Sequence, residues 1–291
     1  MKRLRSFLQR RNSRQVGASQ APSSQPAPGA QQPLQQQPLP SVQQKAVQQS
    51  QAPVANVAAT TAGQLTVALQ NQTSSSNVYA YISGLAIDNG NQWVLMRSDG
   101  VTPYYLSSNG QIMQPLGADC AIRLGAPGST IQARIPRIAG GRIWFSIDQP
   151  LTFFVNPGPA LVEPSVTNAS DPNAQVNWSF AEFTFNADQL YANISYVDFV
   201  AIPVALTLNT VGSGTQHVSG MNAGGLQQVA NGLRQQHSVD GRGWDQLIVN
   251  HTGTGNVLRV LSPNQAMVTN PNLFSGYYDG CKYSFIPRQK W

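Results

Sequence analysis

Phe180–Phe199, FAEFTFNADQLYANISYVDF, decides how this chain is read. Two segments of alternating apolar and polar residues flank Asn186-Ala-Asp-Gln189, the composition of a β-turn. In AEFTFN, a period of two puts Ala181, Phe183 and Phe185 on one face and Glu182, Thr184 and Asn186 on the other. If residues 186–189 are the turn, the residues opposite Glu182 fall near 192–194. The chain has only two glutamates, and only 10% of its residues are charged. Glu182 and Asp198 therefore stand out as a candidate acid and base beside Thr184, Asn186, Tyr191 and Ser195, residue types that bind neutral polyhydroxy substrates. Strict alternation groups Asp198 with Ala192, Ile194 and Tyr196, opposite Tyr191, Asn193 and Ser195. A bulge or strong bend is needed to bring it to Glu182. The bland reading of Glu182, a solvent-facing strand edge, fits the pattern equally well.

Working outward, the β signal extends from Gln64 to Phe199. QLTVALQNQT and NVYAYISGLAID alternate, and QWVLMRSDG and TPYYLSSNG each end in a turn dipeptide containing Gly. STIQARIPRIAGGRIWFSID predicts two strands around Gly140-Gly141, and LTFFVNPGPALVEPS adds another. Strands at this short spacing indicate a sandwich or barrel rather than a βαβ sheet. Beyond Pro203 a mixed α/β lobe is expected. There Asn222 is placed as the cap of a helix with Leu226, Val229, Ala230 and Leu233 on one face. WDQLIVN and NVLRVLS read as strands, and NPNLFSGYYDG reads as the start of a helix entered at Pro271.

Charge divides sharply along the chain. Residues 1–62 carry seven basic groups and no acid, whereas the rest carries eleven basic and twelve acidic groups, so the overall +6 belongs to the tail. From Ser13 to about Gln64 the chain is Gln, Pro, Ala and Ser, a composition that cannot bury enough surface to offset chain entropy. Residues 1–63 are accordingly expected to be a disordered basic Gln/Pro-rich tail, 64–200 a β-barrel or sandwich carrying the carboxylates, and 201–291 the α/β lobe. The near-neutral body argues against a nucleic-acid partner. No apolar run reaches the roughly 18–20 residues of a membrane span. MKRLRSFLQRRNSR lacks the apolar core of a secretory signal. Cys120 and Cys281 permit one disulfide without requiring it. His217, His237 and His251 lack metal-ligand spacing, and no phosphate-binding glycine motif occurs. No cofactor or metal is expected. Glu163, the other glutamate, precedes Pro164 in a loop, where it either lines the groove or is structural.

The blocks GGRIWFSID, FFVNPGPALVEPSVTNASDPN, FAEFTFN and YANISYVDFV resemble glycoside hydrolase family 64, inverting endo-β-1,3-glucanases with a thaumatin-like β-barrel. The resemblance runs from about residue 64 to Gly280. It implies a mainly β (α+β overall) fold, Glu182 as general acid and Asp198 as general base. It further implies sugar contacts from Thr184 and Asn186, and from Asp171 in SDPN. Tyr191 and Ser195 stand where the family has Trp and Thr, keeping an aromatic platform and a hydroxyl. The implied partner is β-1,3-glucan, the implied state a monomer, and the implied location extracellular or cell wall, although the chain shows no signal peptide. Family members continue past the point matching Gly280, which implies a C-terminal truncation and an incomplete second lobe. The same residues admit two other readings: a non-catalytic β-glucan-binding protein and a structural, adhesin-like β protein. Inversion would require Glu182 to be held protonated, a task for desolvation by Trp178, Phe180 and Phe183.

Overall fold

Alternation along the strands builds a central sheet with two apolar faces. The computed structural model describes residues 63–277 apart from 211 and 213; the tail expected over 1–63 falls, except for Gly63, outside the described residues, as do Cys281 and the final CKYSFIPRQKW. In chain order the first strands are β1 Leu65–Gln70, β2 Val78–Ala86, β3 Gln92–Met96, β4 Pro103–Tyr105, β5 Gln114–Pro115 and β6 Ile122–Arg123. Then follow β7 Thr130–Ile135, β8 Ile138–Ile147, β9 Phe154–Asn156, β10 Ala160–Val162, β11 Asn177–Phe185 and β12 Leu190–Ile194. The remainder comprises β13 Phe199–Val200, β14 Leu206–Thr210, β15 Gly214–Val218, helix α1 Gly225–Asp240, β16 Ile248–Asn250, β17 Val257–Leu261 and helix α2 Pro263–Thr269. Among the described residues the fold is mainly β with two α-helical elements, α1 and α2, as the strand spacing and the resemblance led one to expect.

The central sheet runs β12-β11-β8-β2-β3-β4, with β6 also on β2. Its odd-facing side chains on β8 and β11, Ile143 and Phe183, pack with Ala80, Ile82, Val94 and Met96 against the antiparallel β1–β7 pair, which contributes Leu69, Ala133 and Ile135. The other face places Tyr81, Leu95, Trp144, Trp178 and Phe180 in a second core. Phe153 and Val155 of the β9 region, Phe199, Val260 and Leu261 of the β13-β17-β16 sheet, and Ala230 of α1 complete that core. The lobe after residue 200 thus shares its core with the β region. Trp144 anchors this side with ring contacts to Phe153, Trp178 and Phe180 at centroid distances of 5.7, 5.6 and 5.0 Å.

Three local expectations change. Gly140-Gly141 lies inside β8, because Pro136 ends β7 and the chain crosses to the central sheet over Pro136-Arg137. Helix α1 starts after Gly224 without a side-chain cap, and Asn222 contributes only its carbonyl, accepting from Gly225 N–H. Its inward side chains are Leu226, Ala230 and Leu233; Val229 faces out. Helix α2 is capped by the Ser262 hydroxyl with Pro263 in the first turn, and Pro271 begins a run of turns that extends to Gly276 instead of a helix.

Candidate functional site

The β11–β12 hairpin forms as the sequence indicated. Asn186 N–H donates to the Gln189 carbonyl, and the Asn186 side-chain oxygen accepts from the N–H groups of Asp188 and Gln189. The register this turn fixes pairs Glu182 with Asn193 and Thr184 with Tyr191. Across the other strands Glu182 pairs with Arg142, Arg142 with Ser83, and Ser83 with Leu95. Directly opposed residues share a sheet face. A polar row, Ser83–Arg142–Glu182–Asn193, therefore crosses the sheet beside the buried apolar row Tyr81–Trp144–Phe180.

Beyond the polar row the sheet bends. The pairing of β8 shifts register against β11 between Phe183 and Phe185, and against β2 between Ser83 and Leu85. Gly140, opposite this break, has φ +54°, and a Cβ on Gly141 would stand 2.5 Å from the Phe183 ring. The glycine pair allows the strand to bulge where a side chain would block it. Over this bulge opens a cavity of 340 Å³ lined by Arg142, Glu163, Glu182, Thr184, Tyr191 and Asn193, with Trp93 at its side. Tyr191 is 62% exposed and offers a ring to the opening, while the Thr184 hydroxyl accepts from Gly140 N–H at 3.3 Å.

Asp198 reaches the same side of the sheet because the strand stops. β12 ends at Ile194, residues 195–198 leave the ladder, and Phe199 pairs with Leu261 in a different sheet. That break is the bend which strict alternation could not supply. Asp198 lines a second cavity of 160 Å³ with Gln265, Ser165 and Thr167, over Trp144, Trp178 and Phe180. Gln265 Nε2 donates to Asp198 Oδ1 at 2.6 Å, and Ser262 N–H to the Asp198 carbonyl at 2.8 Å. Arg142 lines both cavities.

The Arg142 guanidinium lies over the rings of Phe180 and Trp144, 4.8 and 5.4 Å from their centroids. It pairs closely with Glu163, and its Nη2 is 3.7 Å from Glu182 Oε1. Asn193 Nδ2 donates to Glu182 Oε2 at 3.3 Å. Glu182 thus has polar neighbours and a 37% exposed side chain, while Trp178 and Phe180 are spent on one core and Phe183 on the other. Burial instead pushes up the Glu163 carboxyl, against the opposing pull of Arg142 and of a hydrogen bond from Ser83.

The remaining expected contacts are placed as follows. Asp171 organises the loop that brings Ser165 and Thr167 to the second cavity: its oxygens accept from Ser165 N–H at 3.0 Å and from Asn173 N–H and Nδ2 at 2.7 and 2.9 Å. Asn186 sits at the hairpin tip, with its side-chain oxygen committed to the turn. Ser195 is buried and lines neither cavity. Arg142, Trp93 and Gln265 were not singled out from the sequence, whereas Asn193 falls within the residues expected opposite Glu182. One signal was available for Arg142, an arginine on the same face as the buried Trp144 in a strand that is otherwise uncharged. Among the described residues no group of three His, Cys, Asp or Glu side chains could hold a metal, and no helix is long and apolar enough to cross a membrane.

Comparison with known proteins agrees with this architecture. The sequence profile of the β-1,3-glucanases of glycoside hydrolase family 64 matches residues 63–282. A glucan endo-1,3-β-glucosidase of Cellulosimicrobium cellulans is 29% identical over 139 residues, covering 47% of this chain and 24% of that protein. Its counterpart in Arthrobacter sp. (strain YCWD3) is 28% identical over the same length. A laminaripentaose-producing β-1,3-glucanase solved in complex with laminaritetraose superposes with a TM-score of 0.64 at 26% identity, over 72% of this chain and 55% of that one. A Paenibacillus barengoltzii family 64 enzyme complexed with laminarihexaose shares the fold, with a TM-score of 0.57 at 20% identity over 78% and 54% of the two chains. The chain thus spans about half the length of these solved relatives and matches about a quarter of the curated ones. The profile match takes in every strand and helix described above and both cavities, and on that ground the chain belongs to glycoside hydrolase family 64.

Proposed function

We propose that the chain hydrolyses β-1,3-glucan internally and with inversion, Glu182 acting as general acid and Asp198 as general base. The observation that carries this reading is that the two carboxyl groups line two cavities that share Arg142. In the proposed reaction Glu182 gives its proton to the glycosidic oxygen as the bond from C1 to that oxygen breaks. A water on the opposite face attacks C1 and loses a proton to Asp198. Glu182 ends as carboxylate and Asp198 as carboxylic acid, and exchange with solvent restores both. Such chemistry needs the carboxyls about 6.5–9.5 Å apart, with room for the water. Two cavities meeting at one side chain suit that demand better than carboxyls in contact would. Gln265 would orient Asp198, and Thr184, Tyr191 and Asn193 would hold the sugar, the exposed Tyr191 ring stacking on its apolar face. The glucan specificity comes from the relatives, two of which were solved with laminari-oligosaccharides.

The test is digestion of laminarin by the full chain, following reducing ends and the anomeric proton signals. An α-anomeric product appearing first is expected, and Glu182→Gln and Asp198→Asn should each lower kcat about 10²–10⁴-fold. Laminarin binding without turnover, unchanged by Glu182→Gln, would leave a glucan-binding protein in place of the enzyme.

A further inference from the structure

A cation 3.7 Å from the proposed acid is at odds with the acid's task, because positive charge favours the ionised carboxyl. The cleft holds the remedy. The titratable and charged groups that share a cavity with Glu182 are Arg142 on β8, Tyr191 on β12 and Glu163 from the loop after β10, while Asp198, on the segment after β12, lines the second cavity with Arg142. Arg142 leans to Glu163, which it contacts far more closely than Glu182. Glu163 is fixed in turn by the fully buried Ser83 hydroxyl, and that hydroxyl accepts from the Trp144 indole N–H at 2.9 Å. Exposure follows the same gradient, with side chains 22% exposed at Glu163, 31% at Arg142 and 37% at Glu182. The tight end of the network lies in the core, and its loose end is the proposed acid.

We infer that Glu163 is a positioning residue for the acid: by binding Arg142 it holds the guanidinium charge away from Glu182, leaving Glu182 free to carry a proton between turnovers. The inference rests on the glucanase reading of this cleft. It makes Arg142 a charge shared unequally between two carboxyls, fixed in place by Phe180 and Trp144.

The composition of the chain makes the test direct, since Glu163 and Glu182 are its only glutamates. Labelling glutamate alone with ¹³C at the carboxyl gives two resonances, and Glu163→Gln leaves only that of Glu182. Its titration midpoint should move to lower pH by about one unit in Glu163→Gln, where Arg142 acts on Glu182 unopposed. It should move to higher pH by a similar amount in Arg142→Gln, where Glu163 faces Glu182 without the cation. The alkaline limb of kcat for laminarin should follow the same two directions, with KM changing less, and Glu163→Asp should recover part of the shift. Shifts of the same sign in both variants, or unmoved midpoints, would overturn the inference. A fall in kcat without a shift would also overturn it and reduce Glu163 to packing. If the unaltered chain fails to cleave laminarin, the glucanase reading fails, and the titration still decides how Arg142 divides its charge.

Discussion

The two faces of the central sheet solve opposite problems with the same strands. One face is closed: Ile82, Val94, Met96 and Ile143 meet the β1–β7 pair in an unbroken apolar layer. The other begins the same way at Tyr81, Trp144 and Phe180, then changes one row later to Ser83, Arg142, Glu182 and Asn193. The polar row lies next to the register break in β8, whereas the aromatic row lies within regular pairing. Cover differs as well, since small sheets and helices seat over the aromatic row and leave the polar row to the cleft. The aromatic row also gives Arg142 a platform, so the closed part of this face positions the chemistry of the open part.

Substitutions on the two faces should therefore separate stability from activity. Ile82→Ala on the closed face removes a fully buried side chain and should cost about 2–5 kcal/mol, read from urea unfolding midpoints. Thr184→Val on the open face loses one hydrogen bond to Gly140 and should cost within about 1 kcal/mol while raising KM for laminarin. Equal stability losses at the two positions would break the contrast. An intermediate effect is expected where the faces communicate. Gly141→Ala would drive a methyl into the Phe183 ring on the closed side and should cost about 1–3 kcal/mol. Combining it with Phe183→Leu should recover part of that loss, giving a coupling above about 0.5 kcal/mol in a double-mutant cycle.

How far the sequence could be read follows from how local each cause was. The AEFTFN alternation, the Asn186–Gln189 turn and the register opposite Glu182 were legible because neighbouring residues set them. Asp198 was not, because its placement depends on Phe199 leaving the central sheet to pair with Leu261, sixty-two residues further on. Gly140-Gly141 looked like a strand boundary since its covering partner, the Phe183 ring, also lies far along the chain. Pro271 looked like a helix entry, yet Ser262-Pro263 carries the hydroxyl cap as well as the proline. Arg142 belongs to this class too: its alternation was readable, but its neighbours Glu163 and Glu182 meet it only through the folded sheet.

The smallest effect separates function from stability within the polar row itself. Burial raises the Glu163 carboxyl above its ordinary value of 4.5 despite the nearby guanidinium. Above that ordinary value the unfolded chain has already released the proton while the native chain still holds it. Stability contributed by the protonated form is thus present at low pH and lost as pH rises through the native value. Ionised Glu163 therefore weakens the fold near neutrality, whereas its charge serves Glu182. Glu163→Gln removes this titration, so its unfolding midpoint should decline less than that of the unaltered chain between pH 4.5 and neutrality. Measured by urea unfolding across that range, a steeper decline in the variant would mean that the Arg142–Glu163 pair holds the sheet together. A shallower one fits a carboxylate kept at some cost in stability for its effect on the residue opposite.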